Sequence, residues 1–306
     1  MPVNRWRQGI DKLIADHRSG SQEVINEALA LLIDAVGDSV PGDAASYRNW
    51  LMRLGRELIG AKPATAHLFR LVNGMLWATE AAPTAGALRE QALVYLQDYD
   101  AASATTLETV AEIAARTLAA YPALMTFSRS TTVLRALTLM AEQGRGRPIY
   151  CSEGRPNYEG QTLASELVWA GLRVTLGVDM ALFGWLPQVR ALVLGADSIS
   201  THGMVAKLGI APLTRAAREL EIPVYVLCTA DKFMPAEYYS GRSLGSGPRE
   251  EIMPESSDRL AVSNVYYDVT PMDQISSVIT ENGRLQADEL MAALKQVRVF
   301  PGLRGR

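Results

Sequence analysis

The sequence predicts a two-part α/β chain: an all-α helical domain over residues 1–120, then a parallel-sheet domain over residues 121–306. Three observations carry this. Up to about Tyr121 the apolar residues recur at helical spacing, with no strand-like alternation. From Tyr121 onward, short apolar runs rich in β-branched residues alternate with amphipathic stretches. Finally, 306 residues exceed what one hydrophobic core usually organises.

In the first part, "GSQEVINEALALLIDAV" places Val24, Ile25, Ala28, Leu29, Leu32 and Ile33 on one helical face. The next two stretches continue the pattern with Leu51, Leu54 and Leu58, then Leu68, Leu71, Val72 and Leu76. After the breaks at Pro83 and Gly86, "ALREQALVYLQDYDAASATTLETVAEIAARTL" reads as one long helix or two in tandem. The runs "ALMTF", "PIYCSE", "RVTLGV", "ALVLGA" and "IPVYVLC" then read as strands, with helices between them. Their continuous apolar character fits a parallel sheet covered on both faces. A Gly-, Pro- and Ser-rich loop follows to Asn264, after which "VYYDVTPMDQISSVITENG" predicts a short strand and a closing helix.

Composition excludes several classes. Apolar residues at 48% and charged residues at 21% are ordinary globular values. A net charge of −3 without a basic stripe gives no general pull toward nucleic acid or an anionic membrane. "MPVNRWRQGIDK" lacks an apolar leader, and no run approaches the roughly 20 residues that span a bilayer, so a soluble cytoplasmic protein is expected. Cys151 and Cys228 read as buried strand thiols, and three histidines without ligand spacing make no metal site. No cofactor is expected, since dinucleotide, Walker A and serine-hydrolase signatures are all missing.

Parallel sheets bind ligands beyond the carboxyl ends of their strands, which directs attention to "SRSTT", "SEGRPNYEG" and "GADSISTHG". Asp197, after "ALVLGA", can enter a crevice as acid or base, or cap a turn. Arg155 can hold a phosphate bidentately or pair with a carboxylate such as Glu153. Lys207 stands where a helix should begin, a position that opposes the helix dipole unless an anion is present. Arg18, Gly20 and Ser21 precede a helix as an anion-competent cap or a plain helix start. In "LMTFSRSTTVLRAL", Ser130 and Arg129 present the same choice between phosphate binding and capping.

Taken in order, "SEGRPNYEGQTLASELVWAGLRVTLGVDM" and "ALVLGADSISTHGMVAKLG" resemble a known family, as do "NVYYDVTPMDQISSVITENG", "DHRSGSQEVINEALALL" and "GAKPATAHLFRLVNGML". That family unites the regulatory alpha, beta and delta subunits of translation initiation factor 2B with isomerases of methylthioribose-1-phosphate and ribose-1,5-bisphosphate. The resemblance implies a Rossmann-like second domain, a homodimer formed through it, and an interdomain pocket for a phosphosugar or nucleoside monophosphate. It assigns phosphate contacts to Arg18 and Gly20, to Lys62 where arginine is usual, and to Ser130, Arg155 and Lys207.

The related isomerases use the aspartate of "GAD" and a cysteine in "T-x-C-N". Here Asp197 is kept, but the cysteine position is Ser128, the following residue is Arg129, and an expected asparagine is Ala206. A thiol with a pKa of ~8.5 exchanges protons near neutrality. A serine hydroxyl needs an adjacent base, and "TFSRST" contains none. The expectation is therefore a non-catalytic, regulatory phosphosugar- or nucleotide-binding protein that acts on a protein partner. The alternative is an aldose–ketose isomerase using Asp197, with Ser128 in the other catalytic position. A third reading is an assembly subunit with a vestigial pocket.

Overall fold

Three of the early helices begin on a side chain that accepts a backbone N–H of the first turn or cap. The helices are α1 (Arg5–Ala15), α2 (Ser21–Gly37), α3 (Ala44–Ala61), α4 (Ala66–Ala78) and α5 (Ala85–Leu118). The computed structural model describes residues 5–16, 19–39, 42–235, 238, 244, 246–255, 257 and 259–304. The Glu23 carboxylate accepts the Gly20 N–H at 2.5 Å ahead of α2, and Asp43 accepts the Ser46 N–H at 2.9 Å ahead of α3. Thr84 accepts from Ala87 at 3.2 Å and starts α5, a single 34-residue helix about 50 Å long. This settles the choice between one helix and two. The front of α5 (Leu88, Ala92, Leu96) joins the core of the helical part with Leu32, Leu54 and Phe69. Its rear (Val110, Ala114, Leu118) lies on the sheet.

Beyond α5 the chain runs through β1 (Leu124–Met125), α6 (Thr131–Glu142), β2 (Ile149–Ser152), α7 (Glu159–Trp169), β3 (Val174–Gly177), α8 (Ala181–Trp185) and β4 (Ala191–Leu194). It continues with β5 (Ser198–Ser200), β6 (Gly203–Lys207), α9 (Ile210–Glu219) and β7 (Val224–Leu227). The last elements are β8 (Tyr267–Thr270), β9 (Ser277–Thr280), β10 (Gly283–Leu285) and a closing helix, α10 (Ala287–Lys295).

The main sheet has the order β10-β9-β7-β4-β1-β2-β3, parallel except for β10. Its six parallel strands follow a doubly wound, Rossmann-like order, and the order reverses between β1 and β4. Alternate residues serve the two faces. Ala191 and Val193 pack toward α5, α6 and α7, whereas Leu192 and Leu194 pack toward α8, α9 and α10. That two-sided burial explains the continuous apolar runs.

Two expectations are corrected. "SSVITENG" is not part of a closing helix: it forms β9 and the turn into β10, with Val278 and Ile279 fully buried. Gly283, at φ +119°, closes that hairpin against Thr280. Lys207 does not begin a helix but ends β6, where it pairs with Tyr267 of β8. The chain turns only at Gly209 (φ +106°), and the Asp268 carboxylate accepts the N–H groups of Gly209 and Ala211 at 2.8 and 3.1 Å to start α9. The antiparallel sheet β5-β6-β8, unforeseen in the sequence, is what carries Lys207.

Candidate functional site

A cavity of about 320 Å³ opens where the helical part meets the carboxyl ends of β1, β4 and β7. The helical part contributes Ser19, Gly20 and Ser21 at the start of α2, and Lys62 to Thr65 between α3 and α4. The sheet contributes Ser128 to Thr132, Gly195 to Asp197, Cys228 and Lys232. Lys207, Ala206 and Tyr267 enter from the small sheet and Glu159 from the start of α7. Ligands of doubly wound sheets lie at this switch point because the chain diverges to opposite faces there and leaves a crevice.

Two helix N-termini face the cavity, those of α2 and α6, and their unpaired N–H groups attract anions. Ser130 both caps and lines: its Oγ accepts the Val133 N–H at 3.4 Å while its side chain borders the cavity. Gly195 permits this closeness, since a Cβ there would lie 2.5 Å from the Ser130 side chain. Arg129 is committed elsewhere. It pairs with both Glu166 oxygens at 2.8 and 2.9 Å and with Glu23 at 3.0 Å, which ties the turn before α6 to α7 and α2. Lys62 bonds the Asp16 carbonyl, and burial lowers its pKa against the pull of Asp16.

Arg155 lies outside the cavity wall. Its guanidinium bonds the Tyr158 hydroxyl and, at 3.3 Å, the Glu251 carbonyl, and it sits over the Tyr158 ring. Arg18 lies outside the described residues. Of the expected site, Gly20, Ser21, Lys62, Ser128, Arg129, Ser130, Asp197 and Lys207 thus line one cavity.

Asp197 follows β4, and its backbone is held on both sides. Its N–H bonds the Val205 carbonyl at 2.9 Å, and its own carbonyl accepts the first N–H of α4, from Ala66, at 3.1 Å. Burial pushes its carboxyl above the ordinary range, against the nearby positive charges of Lys232 and Lys207. Lys232 is buried, and its Nζ donates to Ser21 Oγ at 2.5 Å across the interface between the two parts. Burial lowers its pKa, and Asp197 opposes that.

Ser128 is not without a base. Its backbone is left-handed at φ +64°, and its Oγ donates to Glu159 Oε1 at 3.1 Å. Lys207 Nζ stands 2.6 Å from the same oxygen. The premise that no base adjoins Ser128 fails because the partner lies 31 residues away in sequence. Burial pushes both thiols up, Cys151 and Cys228 to about 12; Cys228 lines the cavity and Cys151 does not.

The sequence reading also missed His67 and Lys232. His67 is buried, shares a 3.2 Å hydrogen bond with Thr229, and is held well below its ordinary pKa by burial and Lys232. Lys232 sat inside an aperiodic stretch that carried no signal. Glu159 did carry one, an acidic residue at a helix start after a strand-end turn.

Fold and site together define a class: a Rossmann-like protein with a helical N-terminal part and a switch-point cavity between the two. Residues 17–287 match the initiation factor 2 subunit family, and the chain belongs to that family. It is 27% identical to ribose 1,5-bisphosphate isomerase of Archaeoglobus fulgidus, over 82% of each chain. It is 29% identical to 5-deoxyribose 1-phosphate isomerase of Moorella thermoacetica, over 85% of this chain and 79% of that one. The solved translation initiation factor eIF-2B of Pyrococcus horikoshii OT3 has the same fold, with a TM-score of 0.79, 22% identity, and coverage of 94% and 98% of the two chains.

Proposed function

We propose that the cavity binds a sugar 1-phosphate and that the protein converts it from aldose to ketose. The observation that carries this is Asp197: a carboxyl raised by burial, beside Lys232 and Lys207, facing the same space as two helix N-termini. The N-termini of α2 and α6, with Lys62 and Lys232, suit a phosphate. A carboxyl whose proton is held more tightly than usual suits transfer at a sugar oxygen. The relatives named as isomerases of pentose 1-phosphates support the same substrate class.

The test incubates the protein with 5-deoxyribose 1-phosphate or ribose 1,5-bisphosphate and follows thermal shift and ketose formation together. Ligand at about 100 times its Kd adds ~2.7 kcal/mol of stability. Ketose should form, and Asp197→Asn should slow it by roughly 10²- to 10⁴-fold. Stabilisation without product supports the second reading, a non-catalytic sensor regulating a protein partner, which Ser128 in the thiol position favours. No shift with either sugar leaves an assembly subunit. The same proposal includes a homodimer through the α/β domain, since Trp169 is 90% and Met180 73% exposed beside the edge strand β3.

A further inference from the structure

We propose that Glu159 is the second proton-handling group of this site, taking the place of a thiol, with Ser128 as its positioning residue. The assignment rests on the isomerase reading above. Four observations carry it. Glu159 Oε1 is held from two sides, by Ser128 Oγ at 3.1 Å and Lys207 Nζ at 2.6 Å. Its Oε2 is buried and has no hydrogen-bond partner among the described residues, so one oxygen is left unused. The side chain lines the same cavity as Asp197, close enough for the two carboxylates to repel. Both backbones that set this geometry are left-handed at non-glycine residues, Ser128 at φ +64° and Tyr158 at φ +59°. Such conformations are strained for an L-residue and concentrate at functional sites.

The chemistry balances with these two carboxyls alone. Asp197 gives its proton to the ring oxygen of the sugar as the bond from that oxygen to C1 breaks, and the bonding pair stays on oxygen. Glu159 takes the proton from C2, and the C2–H pair becomes a C1–C2 double bond. Glu159 then returns its proton to C1. Asp197 recovers a proton from the C2 hydroxyl, whose O–H pair becomes the ketone. Both carboxyls finish as they began, the phosphate never leaves O1, and nothing is oxidised or reduced overall. Lys207 stays beside Glu159 throughout as its counter-charge.

The experiment compares wild type, Glu159→Gln and Ser128→Ala with 5-deoxyribose 1-phosphate and ribose 1,5-bisphosphate in deuterated water. Wild type should yield ketose, with solvent deuterium at C1 to the extent that the Glu159 proton exchanges before it is returned. Glu159→Gln should lose roughly 10²- to 10⁴-fold in kcat while either sugar phosphate still raises its Tm. Ser128→Ala, which leaves Glu159 in place, should lower kcat with KM held, and it keeps the test open if the Gln variant folds poorly. The assignment is overturned if Glu159→Gln turns over like wild type while Asp197→Asn does not. A wild-type protein inactive on both sugars overturns this assignment and the isomerase reading together, so the two failures are distinguishable.

Discussion

Ser128 shows how a single residue type misleads when its surroundings are unknown. In "TFSRST" it is a hydroxyl without a base, whereas in the fold its Oγ meets Glu159. Arg129 errs the other way: its charge is spent on Glu166 and Glu23, so it braces three helices and brings little free charge to the cavity. His67 gives a residue-scale prediction. Its folded pKa lies well below 6.5 because burial and Lys232 disfavour the imidazolium. The unfolded chain therefore takes up a proton near pH 6.5 that the folded chain refuses. The stability this group contributes above that pH is lost as pH falls, by about 1.4 kcal/mol per unit until the folded pKa is reached. Replacement by glutamine removes that dependence. The Tm advantage of wild type over His67→Gln should shrink from about pH 7 to about pH 5.5, and a constant gap would show equal protonation in both states.

At the scale of elements, the site depends on where helices and strands start. Helix α7 begins immediately against β2, because Gly160 has no Cβ: one built there would lie 1.7 Å from the Ser152 carbonyl oxygen. That approach sets Glu159 in the cavity wall. Gly160→Ala should push the first turn of α7 outward, costing ~1–3 kcal/mol in urea unfolding. It should also reduce kcat more than substrate affinity; equal losses would separate Glu159 from the chemical step. The small sheet acts in the same way for Lys207. Pairing of β6 with β8 delivers its ammonium to Glu159, across elements 48 residues apart by the pairing of Lys207 with Glu159 and 60 by that with Tyr267. Neither contact is a spacing that periodicity can register.

For the whole molecule, the strand order and the two-part build determine that the cavity has walls from both parts. Lys232 bonding Ser21 and Ala66 bonding Asp197 fasten those walls together. The opposite edge of the sheet ends in β3, where Leu176, Val178, Met180, Val168 and Trp169 are exposed. Burying such apolar area against a second copy is worth roughly 25 cal/mol per Å², and a charge inside it would be costly. Trp169→Glu should therefore shift the mass seen by analytical ultracentrifugation from dimer to monomer, without altering the thermal shift produced by a sugar phosphate. A monomeric wild type, or a variant with unchanged mass, would remove this edge from the interface.

By itself the sequence determined the helical first part, the alternation that makes the parallel sheet, and the strand-end turns that carry Ser128, Ser130 and Asp197. These are written in local periodicity and in strand-end turns, where one stretch of chain decides its own conformation. Only the tertiary structure decided what those groups do. The partner of Ser128, the charges around Asp197, the commitment of Arg129 and the distance of Arg155 from the cavity are all contacts across the fold. Hydrogen bonds and charge interactions act over a few ångströms of space, whatever the separation along the chain, so the acid–base character of the site appears only once the strands are ordered and the helices have closed over their ends.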